Sequence, residues 1–337
     1  MKRLLRLLFI ITLLPQVAIA HQFEVDGIYY NFIDENSVEV TFYSEAHTMG
    51  DYQELQLYSG KVVIPPTVTY EGKTYKVTAI GYKAFALCLI TSVTIPSTVT
   101  SIGENAFCHC YKLKEIVIPS SVTSIEPAFS WCEALTSIKV EKGNPVYDSR
   151  DNCNAIIETA SNSLIAGCRK TKIPNTVTSI GNSAFSHCHN LSSITIPNSV
   201  TEIGDNAFDF CEDLRTVNMS NSVTSIGAGA FGNCINLRKL TLPSSLKTIK
   251  AVAFSYCYEI EKVTIPKSVT FIGKAAFSPS GLKYIECVGD NPESIEVAKD
   301  AFQWQVKANS KLIVPVNAVE KYKSSNQWKD FKNIIEQ

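Results

Sequence analysis

The sequence has no surplus of either charge: 31 lysines and arginines stand against 32 aspartates and glutamates, a formal net charge of −1. A nucleic-acid binder wants a basic stripe, and an anionic membrane surface attracts clustered cations, so neither partner is expected. Beyond residue 20 there is also no run of about 18 uninterrupted apolar residues, the length a membrane-crossing helix needs. Missing as well are G-x-S-x-G, H-E-x-x-H and any phosphate-binding glycine loop. Acidic neighbours such as Glu212-Asp213 read as solvated turn residues. The expectation is a protein without catalytic residues, metal or cofactor.

What is present begins with an address. Lys2, Arg3 and Arg6 precede an apolar stretch over 7–14, and Ala18-Ile19-Ala20 has the small residues of a cleavage site. Residues 1–20 therefore read as a secretory signal peptide. The mature chain is expected to start at His21 with a formal charge of −4 and to be exported, as a secreted, cell-surface or periplasmic protein. No cysteine for lipid attachment lies near the cleavage point, and no sorting signal or sorting domain is expected after Gln337.

The dominant feature is self-similarity. Ile180-Gly181 is followed by Ile203-Gly204, Ile226-Gly227, Ile249-Lys250 and Ile272-Gly273, a strict period of 23. Upstream, Ile80-Gly81, Ile102-Gly103 and Ile125-Glu126 continue it at 22 and 23. One unit, from Ile180, reads IGNSAFSHCHNLSSITIPNSVTE. Its Ser193-Ile194-Thr195-Ile196 alternation marks a short half-buried strand, and Pro197, lacking an N–H, stops the ladder. Asn198 favours a turn, and the glycine after isoleucine permits a bend. Ala184-Phe185 and Cys188 have spacings that suit a helical or 3-10 turn. About eight apolar side chains per unit cannot be enclosed by one turn of chain, so rungs must stack at roughly 4.8 Å. Nine or so rungs would make a rod on the order of 45 Å long. Phe85, Phe107, Phe129, Phe185, Phe208, Phe231, Phe254 and Phe277 then form a core column, not a cofactor site.

Over about residues 76–285 these units resemble the BspA-like leucine-rich repeats, the Treponema pallidum type, with the pattern L-x-x-I-x-I-P-x-x-V-x-x-I-G-x-x-A-F-x-x-C. The resemblance implies a leucine-rich-repeat solenoid with a parallel strand in each rung, and a role in binding host extracellular-matrix proteins or other microbes. The sequence departs from the pattern at Glu126-Pro127, at Lys250 in place of glycine, and at Met219-Ser220 in place of Ile-Pro.

A solenoid needs its ends covered. Residues 21–75 lack the period; 23–30 and 38–42 alternate about a turn at Asp34-Glu35-Asn36-Ser37 and read as an N-terminal β-hairpin cap. Residues 286–337 read as a C-terminal cap, with Val319, Tyr322, Trp328 and Phe331 on short helices. Its Asn-Gln-Trp-Lys-Asp-Phe ending resembles the family's usual closure. Residues 141–179 read as one atypical rung. Within it, Ala155-Ile156-Ile157 and Leu164-Ile165-Ala166 form a hairpin about Ala160-Ser161, and Thr171-Lys172-Ile173-Pro174 echoes the repeat strand. The insert is either decoration or a recognition loop.

Of eleven cysteines, Cys88, Cys110, Cys132, Cys188, Cys211, Cys234 and Cys257 share one position, three residues after the phenylalanine. Stacked in parallel they should not satisfy the disulfide torsion, so they read as free core thiols. His109 between Cys108 and Cys110, and His187 and His189 about Cys188, invite a zinc reading, but alternating neighbours point to different sides. Cys153 and Cys168 stand outside the column. A symmetric hairpin about 160/161 sets them face to face, a candidate disulfide closing about fifteen residues.

What remains is surface. On the strand face Ser193, Thr195, Thr216, Asn218, Thr241, Thr264, Tyr284 and Glu286 should point outward, with Arg215, Arg238, Lys239, Lys262 and Lys283 making it locally basic. A second ladder precedes the cysteine: His109, Trp131, His187, Phe210 and Tyr256, followed by Tyr111, His189 and Tyr258 just after it. Recurrent aromatics are typical recognition anchors, although they also serve as packing for neighbouring loops. Three roles stay open: an adhesin-like module for a protein partner, a carbohydrate binder using the aromatic ladder, or a spacer without a ligand.

Overall fold

The unit starting at Ser193 shows how the sequence dictates one turn. Ser193 and Thr195 face solvent while Ile194 and Ile196 are buried, and Ser193–Ile196 pairs in parallel with Thr216–Met219 of the next unit. Pro197 ends the strand, and after a turn the chain lays down a second, two-residue strand, Glu202–Ile203, with Ile203 buried. Gly204 then touches the preceding rung: a Cβ there would lie 2.8 Å from both the Asn182 nitrogen and the Gly181 carbonyl carbon. Residues 205–211 take the tighter of the two expected forms, turns and not a helix. Their turns close by i to i+3 bonds, such as Asp209 N–H to the Asn206 carbonyl (3.1 Å), but φ is positive at Asn206 (55°) and Phe210 (55°). Left-handed residues at that interval stop a helix from propagating.

In the computed structural model, which describes residues 21–42 and 58–337, this unit recurs as a β-solenoid of about 11 turns with parallel strands about 23 residues apart. The signal peptide expected at 1–20 lies outside the described residues. The phenylalanines stack along the axis from Phe85 to Phe129 at 5.4 and 5.5 Å, and from Phe185 to Phe302 at 4.9 to 5.4 Å, every pair within 11° of parallel.

The cysteine column has a physical reason beyond its small volume. The Sγ atoms of Cys110, Cys132, Cys211, Cys234 and Cys257 each donate to the phenylalanine carbonyl of the rung before, at 3.1 or 3.2 Å. Burial pushes the buried thiols upward, Cys88 to about 11 and Cys287 to about 12, so they stay protonated donors. All eleven cysteines are free. Thiol titration of the denatured, unreduced chain should therefore count eleven; nine would mean that one bond had formed.

Both ends differ from the simple caps expected. At the N-terminus Phe23–Val25 and Ile28–Phe32 are separate strands, not one, because Asp26 and Gly27 (φ 52° and 76°) form a tight hairpin turn. Ser37–Thr41 pairs antiparallel to the second strand and parallel to Lys73–Ile80, which starts the ladder. The buried Tyr58 ring closes the phenylalanine column over Phe85 at 4.9 Å. At the other end Tyr284–Cys287, Lys311–Val314 and Asn333–Glu336 continue the parallel sheet between the short helices Trp304–Asn309 and Val319–Ser324. Trp328 and Phe331 close the column over Phe302 at 6.0 and 5.5 Å.

The period fails between 141 and 179, and the reason is visible. Tyr147–Asp148, Ala155–Glu158 and Ser163–Gly167 run antiparallel, after which Ser163–Gly167 pairs in parallel with Ser179–Ile180, so Leu164 replaces isoleucine in the ladder. Gly167 takes the phenylalanine's backbone place: its N–H donates to the Ala184 carbonyl (2.8 Å) as that of Phe185 does to Ala207 (2.7 Å). A Cβ at Gly167 would lie 2.2 Å from Phe185 Cε1, so this rung carries no ring. Residues 171–174 form no strand.

The candidate disulfide is not formed. Near the turn Ile157 faces Leu164 as symmetry requires, but the register shifts between Ile156 and Ile157, and Ala155 faces Gly167 instead of Ala166. A one-residue slip exchanges the faces of a strand. Cys153 accordingly packs with the C-terminal core and Cys168 with the N-terminal one.

Candidate interaction surfaces

The outward strand positions lie where alternation puts them. Thr195, Asn218, Thr241, Arg215, Arg238, Lys239, Lys262 and Tyr284 are exposed, and Thr264 is half-buried. The basic character expected of this face is largely cancelled by acids one rung away. Arg238 pairs with Glu259 (3.3 Å), Lys262 with Glu286 (2.8 Å) and Lys283 with Glu261 (2.5 Å). Thr264 also donates to Glu286 (3.1 Å), whose carboxyl is held below its ordinary range first by the Lys262 hydrogen bond. Only Arg215 and Lys239 of the named cations make no ion pair among the described residues. Exposed pairs like these contribute little stability, on the order of 0–1 kcal/mol, but they do remove the field.

The second surface is more ordered. His109 stacks on Trp131 at 4.9 Å, Trp131 on His187 at 4.3 Å and His187 on Phe210 at 4.6 Å, with His189 tilted against Trp131 at 4.6 Å. The stack passes over the rung that carries no phenylalanine, so it spans the break that the core column does not. Asn233 interrupts it, leaving Tyr256 exposed beyond, edge-on to Tyr258. All four stacked residues have left-handed backbone, φ between 55° and 62°. Bulky residues there cost on the order of 1–2 kcal/mol each, where asparagine or glycine would be cheap. Neighbouring rungs hold them in place: His109 N–H donates to Ser130 (2.9 Å), His187 to Asp209 (2.7 Å) and Phe210 to Gly232 (2.9 Å).

Residues 74–165 and 157–283 match the BspA type leucine rich repeat region, in six copies. The chain belongs to the BspA-type leucine-rich repeat family. A crystal structure of a leucine-rich repeat protein from Bacteroides ovatus is similar, at 32% identity over 94% of this chain and 67% of that one, with a TM-score of 0.53. The pneumococcal vaccine antigen PcpA shares the fold, at 17% identity over 95% of this chain and 99% of that one, with a TM-score of 0.62. Among curated proteins none matches significantly. Leucine-rich repeat solenoids are typically non-enzymatic modules that bind proteins. In this BspA-type chain no helix among the described residues is long and apolar enough to cross a membrane, and no cluster there of three or more His, Cys, Asp or Glu could hold a metal.

Two imidazoles of the stack, His109 and His187, are pushed toward the neutral form. Burial lowers His187 from 6.5 to about 4, with His189 and His109 adding repulsion, and lowers His109 for the same first cause. As pH falls, the unfolded chain takes up the His187 proton first. The stability tied to neutral His187 is thus complete above pH 6.5 and lost as pH drops through about 4. Melting midpoints measured between pH 7.5 and 4 should fall less steeply in His187→Phe than in the unchanged BspA-type chain. Parallel slopes would show that another group controls the acid limb.

Proposed function

We propose that this chain is an exported, adhesin-like binding module, secreted or held at the cell surface, that engages a host or microbial protein through the stack His109–Trp131–His187–Phe210. The observation that carries the reading is four consecutive aromatic or imidazole rings kept at a backbone position that disfavours them. Strain retained in this way points to a use other than packing. A glycan needs an open ring face, and in this stack each inner face is covered by its neighbour, which favours a protein that meets the ring edges. The strand face, with most cations paired, is the lesser surface.

The family supports a protein partner, with extracellular-matrix or other surface proteins as the first class to try. The test is a binding screen of residues 21–337 against matrix proteins, run beside a glycan array. Saturable binding to a protein supports the reading. Binding to glycans alone would move it to carbohydrate recognition, and silence in both would make the solenoid a spacer.

A further inference from the structure

A cavity of about 200 Å³ sits where the phenylalanine column breaks. Phe129 and Phe185 form two of its walls, with Leu135 and Ala166, and three thiols, Cys132, Cys168 and Cys188, complete the apolar part. Phe129 is half-exposed, whereas the other phenylalanines of the column are at most 2% exposed, because no ring from the inserted rung covers it. The most exposed lining residues are Glu126, Pro127 and Asn182, and they mark the side on which the cavity meets solvent.

We propose that this cavity binds a small arylalkylamine, a single aromatic ring carrying an ammonium group, with the ring against Phe129 in the place of the missing member of the column. The volume suits the ring, since an apolar cavity of about 150 Å³ takes up benzene. Phenylalanine faces and thiol sulfurs are good partners for it, aromatic offset stacking and sulfur–ring contact both being favourable. The charge selects the amine. Among the described residues the only charged side chains lining the cavity are two carboxylates, Glu126 and Glu158. His187 also lines it, and its Nδ1 is buried without a hydrogen-bond partner among the described residues. The low pKa of His187 keeps that ring neutral, so it does not repel a cation. Burial holds Cys168 and Cys188 protonated, and they act as walls and not as nucleophiles. A carboxylate ligand would face the two like charges of the lining, since the nearest cations, Arg169 and Lys170 beside Cys168, do not line the cavity.

Residues 21–337 titrated with phenethylamine in a calorimeter should show saturable one-to-one binding. Butylamine, which lacks the ring, and 3-phenylpropanoate, which reverses the charge, should each bind at least about tenfold more weakly, the ratio that 1.4 kcal/mol produces. Ser130→Phe, which fills the cavity from its half-buried wall, should abolish phenethylamine binding. The paired change Glu126→Gln with Glu158→Gln leaves the apolar walls intact and should weaken phenethylamine about tenfold while sparing the melting temperature. It decides the matter even where Ser130→Phe fails to fold. Absence of saturation, equal affinity for all three probes, or undiminished binding by the Gln pair would overturn the proposal.

Discussion

Phe208→Ala should lower the stability of the solenoid by about 3–5 kcal/mol, the range for deleting a fully buried phenylalanine. Phe208 is inaccessible to solvent and lies between Phe185 at 4.9 Å and Phe231 at 5.0 Å, so its removal opens a void closed above and below by rings. The walls cannot collapse inward, because backbone bonds fix the rung. Phe208 N–H donates to Ala230 (2.7 Å), and its carbonyl accepts from the Cys234 thiol (3.2 Å). Thr195→Ala supplies the contrast: it lies outward on the strand face, and its loss should stay within about 0.5 kcal/mol. Denaturant melts of the two variants are enough. Equal losses would mean that inside and outside have been exchanged.

Trp131→Ala should weaken the protein partner by at least about 2 kcal/mol, roughly thirtyfold, as for a central aromatic anchor. Trp131 touches His109, His187 and His189 and lies 6.5 Å from Phe210, so its removal splits the stack in two. The comparison variant replaces Arg215, Arg238, Lys239 and Lys262 with glutamate, leaves the stack untouched, and should change affinity by only a few-fold. Surface plasmon resonance on both variants separates the surfaces. Loss in the charge-reversed chain with full affinity in Trp131→Ala would transfer the site to the strand face.

The repeat was legible because its cause is local. Alternation in Ser193-Ile194-Thr195-Ile196, a stop at Pro197 and a bend at Gly204 need no knowledge of distant residues. The aromatic ladder was legible as a column for the same reason, but its stacking across the break was not, since Trp131 and His187 are brought together only by the inserted hairpin. The break itself turns on Gly167, which sits where a repeat would have phenylalanine and has no repeat signal around it. The bulge beside Ile157 was equally hidden: hairpin symmetry is readable from residue numbers, a one-residue slip is not. On the strand face alternation already sets Glu286 outward beside the cations, whereas Glu259 and Glu261 precede the Lys262–Ile265 strand and carry no such signal. Glu259 and Glu261 sit two residues apart on one rung and Glu286 on the next, so no repeat spacing announces the pairing. The C-terminal strands escaped because the two helices between them obscure the period.

The slip in the hairpin has a consequence for cooperativity. It sends Cys153, Ala155 and Ile157 into one apolar cluster and Ile156, Ala166 and Cys168 into another, and the two clusters are the cores of the two halves of the rod. A solenoid is a one-dimensional chain of nearest-neighbour couplings, and its weakest coupling decides how many independent units it contains. Here the hairpin strands are shared, one face to each side, while the phenylalanine stack is severed between Phe129 and Phe185. The rod is therefore expected to unfold as two cooperative blocks joined by a β-hairpin clasp and the Trp131–His187 contact, so damage to a core ring in one block need not be transmitted to the other.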